Sequence, residues 1–84
     1  TSSRDIVIGA ALQVSPNPTT GLVRLALETT PTQLSVLNLN GTRVSVQRSG
    51  QYENEVDLRS LPAGVYYIIV QEGQERRVGK VVKY

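Results

Sequence analysis

From Ala10 onward, short apolar runs alternate with turn residues every ~8–12 positions, and no stretch keeps a helical period. A surface helix needs an apolar stripe over about ten residues or more, whereas a strand needs only about four to eight. The pattern therefore predicts an all-β chain. The runs cover residues 11–14, 22–28, 33–39, 42–48, 52–58, 65–71 and 76–82. Val23, Leu25 and Leu27 share one face of their run, with Arg24 and Glu28 on the other; Val44 and Val46 face the core. Tyr52, Asn54, Val56 and Leu58 share a face, and residues 65–71 are apolar on both faces, which predicts a central strand. Seven such runs predict a seven-stranded immunoglobulin-like Greek-key β-sandwich. Without Cys or Trp, the likeness to immunoglobulin domains is one of shape alone.

The turns carry their own chemistry. Pro16 and Pro18 cannot donate to a ladder, so the first run ends or lies at an edge there. Asn40-Gly41 predicts a type I′ hairpin with positive φ at both residues. Ser49-Gly50-Gln51 turns the chain again, residues 60–64 form a corner with Gly64 at positive φ or in close backbone contact, and Gly73 closes a last hairpin.

With 84 residues, 39% of them hydrophobic, the chain makes one small domain whose thin core is Val, Leu and Ile. No apolar run approaches the ~20 residues of a membrane-spanning helix. Residues 1–9 read as a polar lead-in, with no basic region running into an apolar core as a signal peptide would have, and a start at Thr1 predicts a fragment of a longer protein.

Little here can do chemistry. His and Cys are absent, which removes the commonest general base, the commonest metal ligand and the thiolate nucleophile. A Ser60–Lys80 pair is the only nucleophile and base arrangement to weigh, and both residue types are common on surfaces. Glu53, Glu55 and Asp57 alternate along one run: a solvated face, a calcium site or a surface for a basic partner. Arg76, Arg77, Lys80 and Lys83 crowd the last nine residues, as an edge strand protected by charge or as a contact for a receptor or anionic lipid. A net charge of +2 is too small to argue for nucleic acid. Tyr66 and Tyr67 point to opposite faces of one strand, so the four tyrosines make a poor sugar platform; Tyr66 reads as core filler with its hydroxyl bonded to backbone. No enzyme and no cofactor are expected.

Four pieces stand in a telling order: Pro16-Asn17-Pro18 with Gly21, residues 38–41 containing Asn40 and Gly41, the Leu-Pro-x-Gly-x-Tyr segment at 61–66, and Lys80-Val81-Val82-Lys83-Tyr84. Together they resemble the C-terminal sorting domain of proteins exported by the type IX secretion system of Bacteroidetes. The likeness spans residues 12–84, departing at Ser15, where an aromatic often stands, and at Tyr84, where Lys or Arg is common. The resemblance implies a domain at 11–84 that directs its parent from the periplasm through the outer-membrane translocon, with an outer-membrane shuttle protein as partner. It implies the cell surface or medium as destination. In many members a sortase-like cysteine peptidase removes the domain and joins the cargo to anionic lipopolysaccharide, while others keep it. A cleavage site would fall in residues 1–10. The resemblance points to Gly64, Tyr66 and Lys80, Val81, Val82, Lys83 and Tyr84 as the recognition signal, read as an accessible strand end that can add to a partner's sheet. The alternatives are an appended carbohydrate-binding or adhesive module, told apart by a Tyr-centred glycan site, and a structural spacer whose deletion leaves export intact.

Overall fold

Two of the seven expected runs break in the middle and change sheets. This appears in a computed structural model that describes residues 10–84. The first run becomes β1 (Ala10–Ala11) and β2 (Val14–Ser15), and the fourth becomes β5 (Arg43–Val44) and β6 (Gln47–Ser49). The rest are β3 (Leu22–Leu25), β4 (Gln33–Asn38), β7 (Glu55–Asp57), β8 (Gly64–Glu72) and β9 (Glu75–Lys83). A five-stranded sheet runs β1-β9-β8-β4-β5 and a four-stranded sheet β2-β3-β7-β6, so the expected count of seven is corrected. Alternation cannot see these breaks. Leu12 and Val14 both pack on the core, as do Val44 and Val46, whichever sheet each half joins. Neighbouring strands are antiparallel except β1 and β9, which are parallel. Residues 1–9 lie outside the described part, and with them nearly all of the lead-in and cleavage region expected over 1–10.

The core lies between the sheets. Val23, Leu25, Val56 and Leu58 enter it from one side, and Val36, Tyr66, Ile68, Val70 and Val81 from the other. The expected alternation of Val23, Leu25 and Leu27 inward holds, and β8 is the central strand of its sheet.

Three local expectations change. Residues 38–42 form a three-residue hairpin loop rather than a type I′ turn. The Gly41 N–H donates to the Asn38 carbonyl at 2.9 Å and Gly41 takes φ 84°, while Asn40 is not at positive φ. The Asn38 side chain decides this, because its Oδ1 accepts from the N–H of Asn40 and of Thr42, both at 3.0 Å, and stabilises the wider turn. The strand expected at 52–58 begins only at Glu55. Gly50 (φ 84°) turns the chain into a 3-10 turn, Gln51–Glu53, in which Tyr52 and Glu53 also take positive φ. Lastly, β9 is not an edge, since it lies between β1 and β8.

Candidate functional site

The loop after β2 does the work of a strand without being one. Pro16 and Pro18 each remove an N–H, so this stretch cannot pair regularly with β9. The Asn17 side chain takes over. Its Nδ2 donates to the Lys80 carbonyl at 2.8 Å, and its Oδ1 accepts from the Val82 N–H at 3.1 Å. Thr19 continues the contact: its N–H donates to the Val82 carbonyl at 2.8 Å and its carbonyl accepts from the Tyr84 N–H at 3.0 Å. Upstream, the Leu12 N–H donates to the Val78 carbonyl at 3.0 Å. The side of β9 turned away from β8 is thus covered toward its end, and the strand end expected to be accessible has much of its main chain occupied.

Thr19 anchors this loop. It is 2% exposed, and its Oγ1 donates to the Leu22 carbonyl at 2.9 Å and accepts from the Gly21 N–H at 3.0 Å. The Gly21 carbonyl accepts from the Leu58 N–H at 2.8 Å, so the loop ties β9 to the other sheet. Gly21 is required there because a Cβ would run into the Arg59 side chain and come within 3.3 Å of its Cα.

The corner at residues 61–66 lies beside the same end of β9. Gly64 pairs with Lys83 and Tyr66 with Val81. Tyr66 is buried, and its hydroxyl donates to the Pro62 carbonyl at 2.6 Å, the role read for it from the sequence. Gly64 has φ 156°, and a Cβ there would meet nothing within 4 Å, so backbone conformation alone calls for glycine. On its other side Tyr66 pairs with Asn38, whose side chain shapes the Asn40-Gly41 loop. Four motifs far apart in sequence therefore meet at one end of the five-stranded sheet. A cross-strand row runs Asn38, Tyr66, Val81, with Asn17 bonded to β9 on either side of Val81.

Within residues 80–84 the side chains divide. Val81 is fully buried, Lys83 half-buried with its Nζ donating to the Tyr84 carbonyl at 3.3 Å, and Lys80, Val82 and Tyr84 face away from the core. Tyr84 is 68% exposed.

The acidic run does not converge on one point. Glu53 pairs with Arg48, Glu55 with Arg24 at 3.0 Å and Asp57 with Arg59 at 2.9 Å, and no acidic cluster suited to a metal occurs among the described residues. Asp57 receives a fork: the Arg59 N–H and Nε donate to Oδ1 at 2.9 and 3.0 Å, and Nη2 to Oδ2 at 2.9 Å. These bonds hold the Asp57 carboxyl down at about 2 and raise Arg59 above its ordinary value. Ser60 and Lys80 are not brought together, because Ser60 follows β7 of one sheet while Lys80 projects from the outer face of the other. Nor are the tyrosines gathered: Tyr66 is in the core, Tyr67 on the outer face of β8, Tyr52 in the 3-10 turn and Tyr84 beyond β9.

Sequence reasoning held Asn38 and Thr19 only as members of their turn motifs, without the bonds they make, and passed over Gly79. The first two are short polar residues beside turns, where side chains commonly bond backbone, which is a signal available in the sequence. Gly79 had none. A Cβ on it would lie 2.8 Å from Val14 Cγ2 and 2.9 Å from the Leu12 carbonyl oxygen, a crowding that only the folded chain creates.

The family model of the secretion system C-terminal sorting domain matches residues 13–84, which takes in all four motifs. A search among curated proteins finds no match.

Proposed function

The chain belongs to the family of secretion system C-terminal sorting domains, and we propose that its signal is the joined end of the five-stranded sheet where the four motifs meet. A type IX sorting signal is a cargo tag rather than a catalytic domain. It engages the secretion machinery and directs its parent toward the outer membrane or the extracellular space. On our reading the parent passes through the periplasm, an outer-membrane shuttle protein and the translocon read the tag, and a sortase-like cysteine peptidase cuts within residues 1–10 and joins the cargo to anionic lipopolysaccharide. The recognised residues are Gly64, Tyr66 and Lys80, Val81, Val82, Lys83 and Tyr84. Pro16, Asn17, Pro18, Gly21, Asn40 and Gly41 hold them in place.

One observation carries this reading. The motifs that mark the family sit 63 and 65 residues apart, yet bond directly through Asn17 to Lys80 and Val82. Scattered motifs that served only their local turns would have no need to meet. The strand order also supports an immunoglobulin-like Greek key, with β2-β3-β7-β6 facing β5-β4-β8-β9 and Tyr66 bonded back to the preceding corner near the start of β8.

The test fuses the domain to a signal-peptide-bearing reporter in a bacterium with the type IX system. Removal of residues 80–84 takes out buried Val81, worth about 1.5–3 kcal/mol, together with the bonds to Asn17 and Thr19, so a stability measurement accompanies it. We expect the truncated fusion to accumulate in the periplasm. The pair Lys80→Gln with Lys83→Gln leaves the core intact and is expected to export less efficiently. Full export of the truncated form would overturn the reading, and full export of the charge pair alone would remove only its electrostatic part.

A further inference from the structure

The outer face of the five-stranded sheet mixes apolar side chains with cations, and no described residue covers it. Strand alternation puts Val65, Tyr67, Ile69 and Gln71 of β8 on this face, opposite the buried Tyr66, Ile68 and Val70. Across the strands, Val65 pairs with Val82, Tyr67 with Leu37 and Lys80, and Ile69 with Ser35 and Val78. The result is a band of half-buried Val, Leu, Tyr and Ile across three strands, where a solvated sheet face would carry polar residues.

The charge on this face is one-sided. Four guanidiniums, those of Arg24, Arg48, Arg59 and Arg77, are neutralised by carboxylates within the domain. Among the described residues Arg43, Arg76, Lys80 and Lys83 make no such pair, and the first three project from this face. No carboxylate of the described residues joins them, because Glu72 and Glu75 belong to the opposite face of their strands. Arg43 and Arg76 also line a shallow cleft of about 210 Å³ with Gln33, Ser35, Leu37 and Ile69.

We propose that this face docks an acidic protein surface, one that sets a carboxylate between Arg43 and Arg76 and lays apolar side chains on Val65, Tyr67 and Ile69. Charge complementarity selects the partner's sign. The apolar band selects a protein over a free anion or a glycan, since phosphate or sugar would satisfy the cations and leave Val65, Val82 and Ile69 wet. The wide, shallow band suits a broad complementary surface better than a bilayer, which would call for large apolar side chains standing clear of the cations. The inference deepens the sorting reading and rests on it: a tag needs a surface on which the machinery can hold it, and this one adjoins the joined motif end through Val82 and Lys80.

The test places p-benzoylphenylalanine at Tyr67, and as a control at Leu22, which is 50% exposed on the other sheet. The domain is fused to the exported reporter and irradiated in cells that carry the type IX system. Tyr67 is expected to yield an adduct with one protein, identified by mass spectrometry and cross-linked through an acidic segment, and Leu22 none. Arg43→Glu with Arg76→Glu and Lys80→Glu should lower the adduct at least about tenfold while the domain still melts cooperatively, and Lys substitution of the partner's carboxylates should restore it. If the reversed form fails to fold, the neutral set Arg43→Gln, Arg76→Gln, Lys80→Gln reports instead. No adduct, an adduct with lipid or glycan, an adduct only between copies of the domain, or one indifferent to charge reversal would overturn the proposal. Export is scored separately. A Tyr67 cross-linking fusion with its charges unreversed that yields the adduct and stays in the periplasm counts against the sorting reading, and an exported fusion without the adduct counts against the docking face.

Discussion

Replacing Asn17 by Ala removes both side-chain bonds to β9, to the Lys80 carbonyl at 2.8 Å and from the Val82 N–H at 3.1 Å. Both sites are exposed, so water takes over part of each bond. At about 0.5–1.5 kcal/mol net for each, the variant should lose about 1–3 kcal/mol. For a domain of this size that lowers the melting temperature by about 5–20 °C. Hydrogen exchange gives a sharper reading. The Val82 amide, which donates to Asn17, should exchange faster. The Tyr84 amide, which donates to Thr19, should follow if the loop opens as a unit. Residue 81, held in the ladder with β8, should keep its protection. Asn17→Asp keeps an acceptor for Val82 but brings a carboxylate oxygen against the Lys80 carbonyl, so it should not recover the full loss. A variant that melts within about 1 °C of the parent with Val82 protected as before would show that the loop does not hold the strand, and the case for a joined motif end would fall with it.

Tyr66→Phe leaves the Pro62 carbonyl without its 2.6 Å donor and should cost about 1–2 kcal/mol in a urea titration. Gly79→Ala should cost about 1–3 kcal/mol by thermal melting, because its Cβ meets the Leu12 carbonyl oxygen and Val14 Cγ2. Gly64→Val should cost a similar ~1–3 kcal/mol through backbone strain alone, with export measured alongside. For Asp57 the folded value lies below the ordinary 3.8, so the Arg59 fork contributes fully above 3.8 and is lost as pH falls toward about 2. Melting temperatures of the parent and Asp57→Asn should therefore converge across that window, and a gap unchanged through it would refute the assignment.

The inward set Val23, Leu25 and Leu27 was legible because β-structure alternates strictly and one face must leave water. So were the central β8, apolar on both faces, and the bonded hydroxyl of Tyr66, since a buried phenol must find a partner. The Asn40-Gly41 pair announced a hairpin but not its type. The choice fell to Asn38, whose carboxamide bonds two N–H groups of the loop. The acidic alternation at 53, 55 and 57 was visible, but its meaning came from Arg48, Arg24 and Arg59, which lie up to 31 residues away or on the next turn.

By itself the sequence determined that this chain is all-β, which residues make most of its turns, which apolar side chains alternate inward and which family it belongs to. Those are local properties: a period of two, a glycine or proline at a turn, an ordered set of short motifs. The tertiary structure decided that runs 11–14 and 42–48 each cross between sheets, because either half buries the same apolar side chains whichever sheet it joins. It also decided that β9 is an inner strand fastened by Asn17 and Thr19. Hydrogen bonds between residues more than 60 positions apart depend on the path of the whole chain, and no local pattern of residues encodes them.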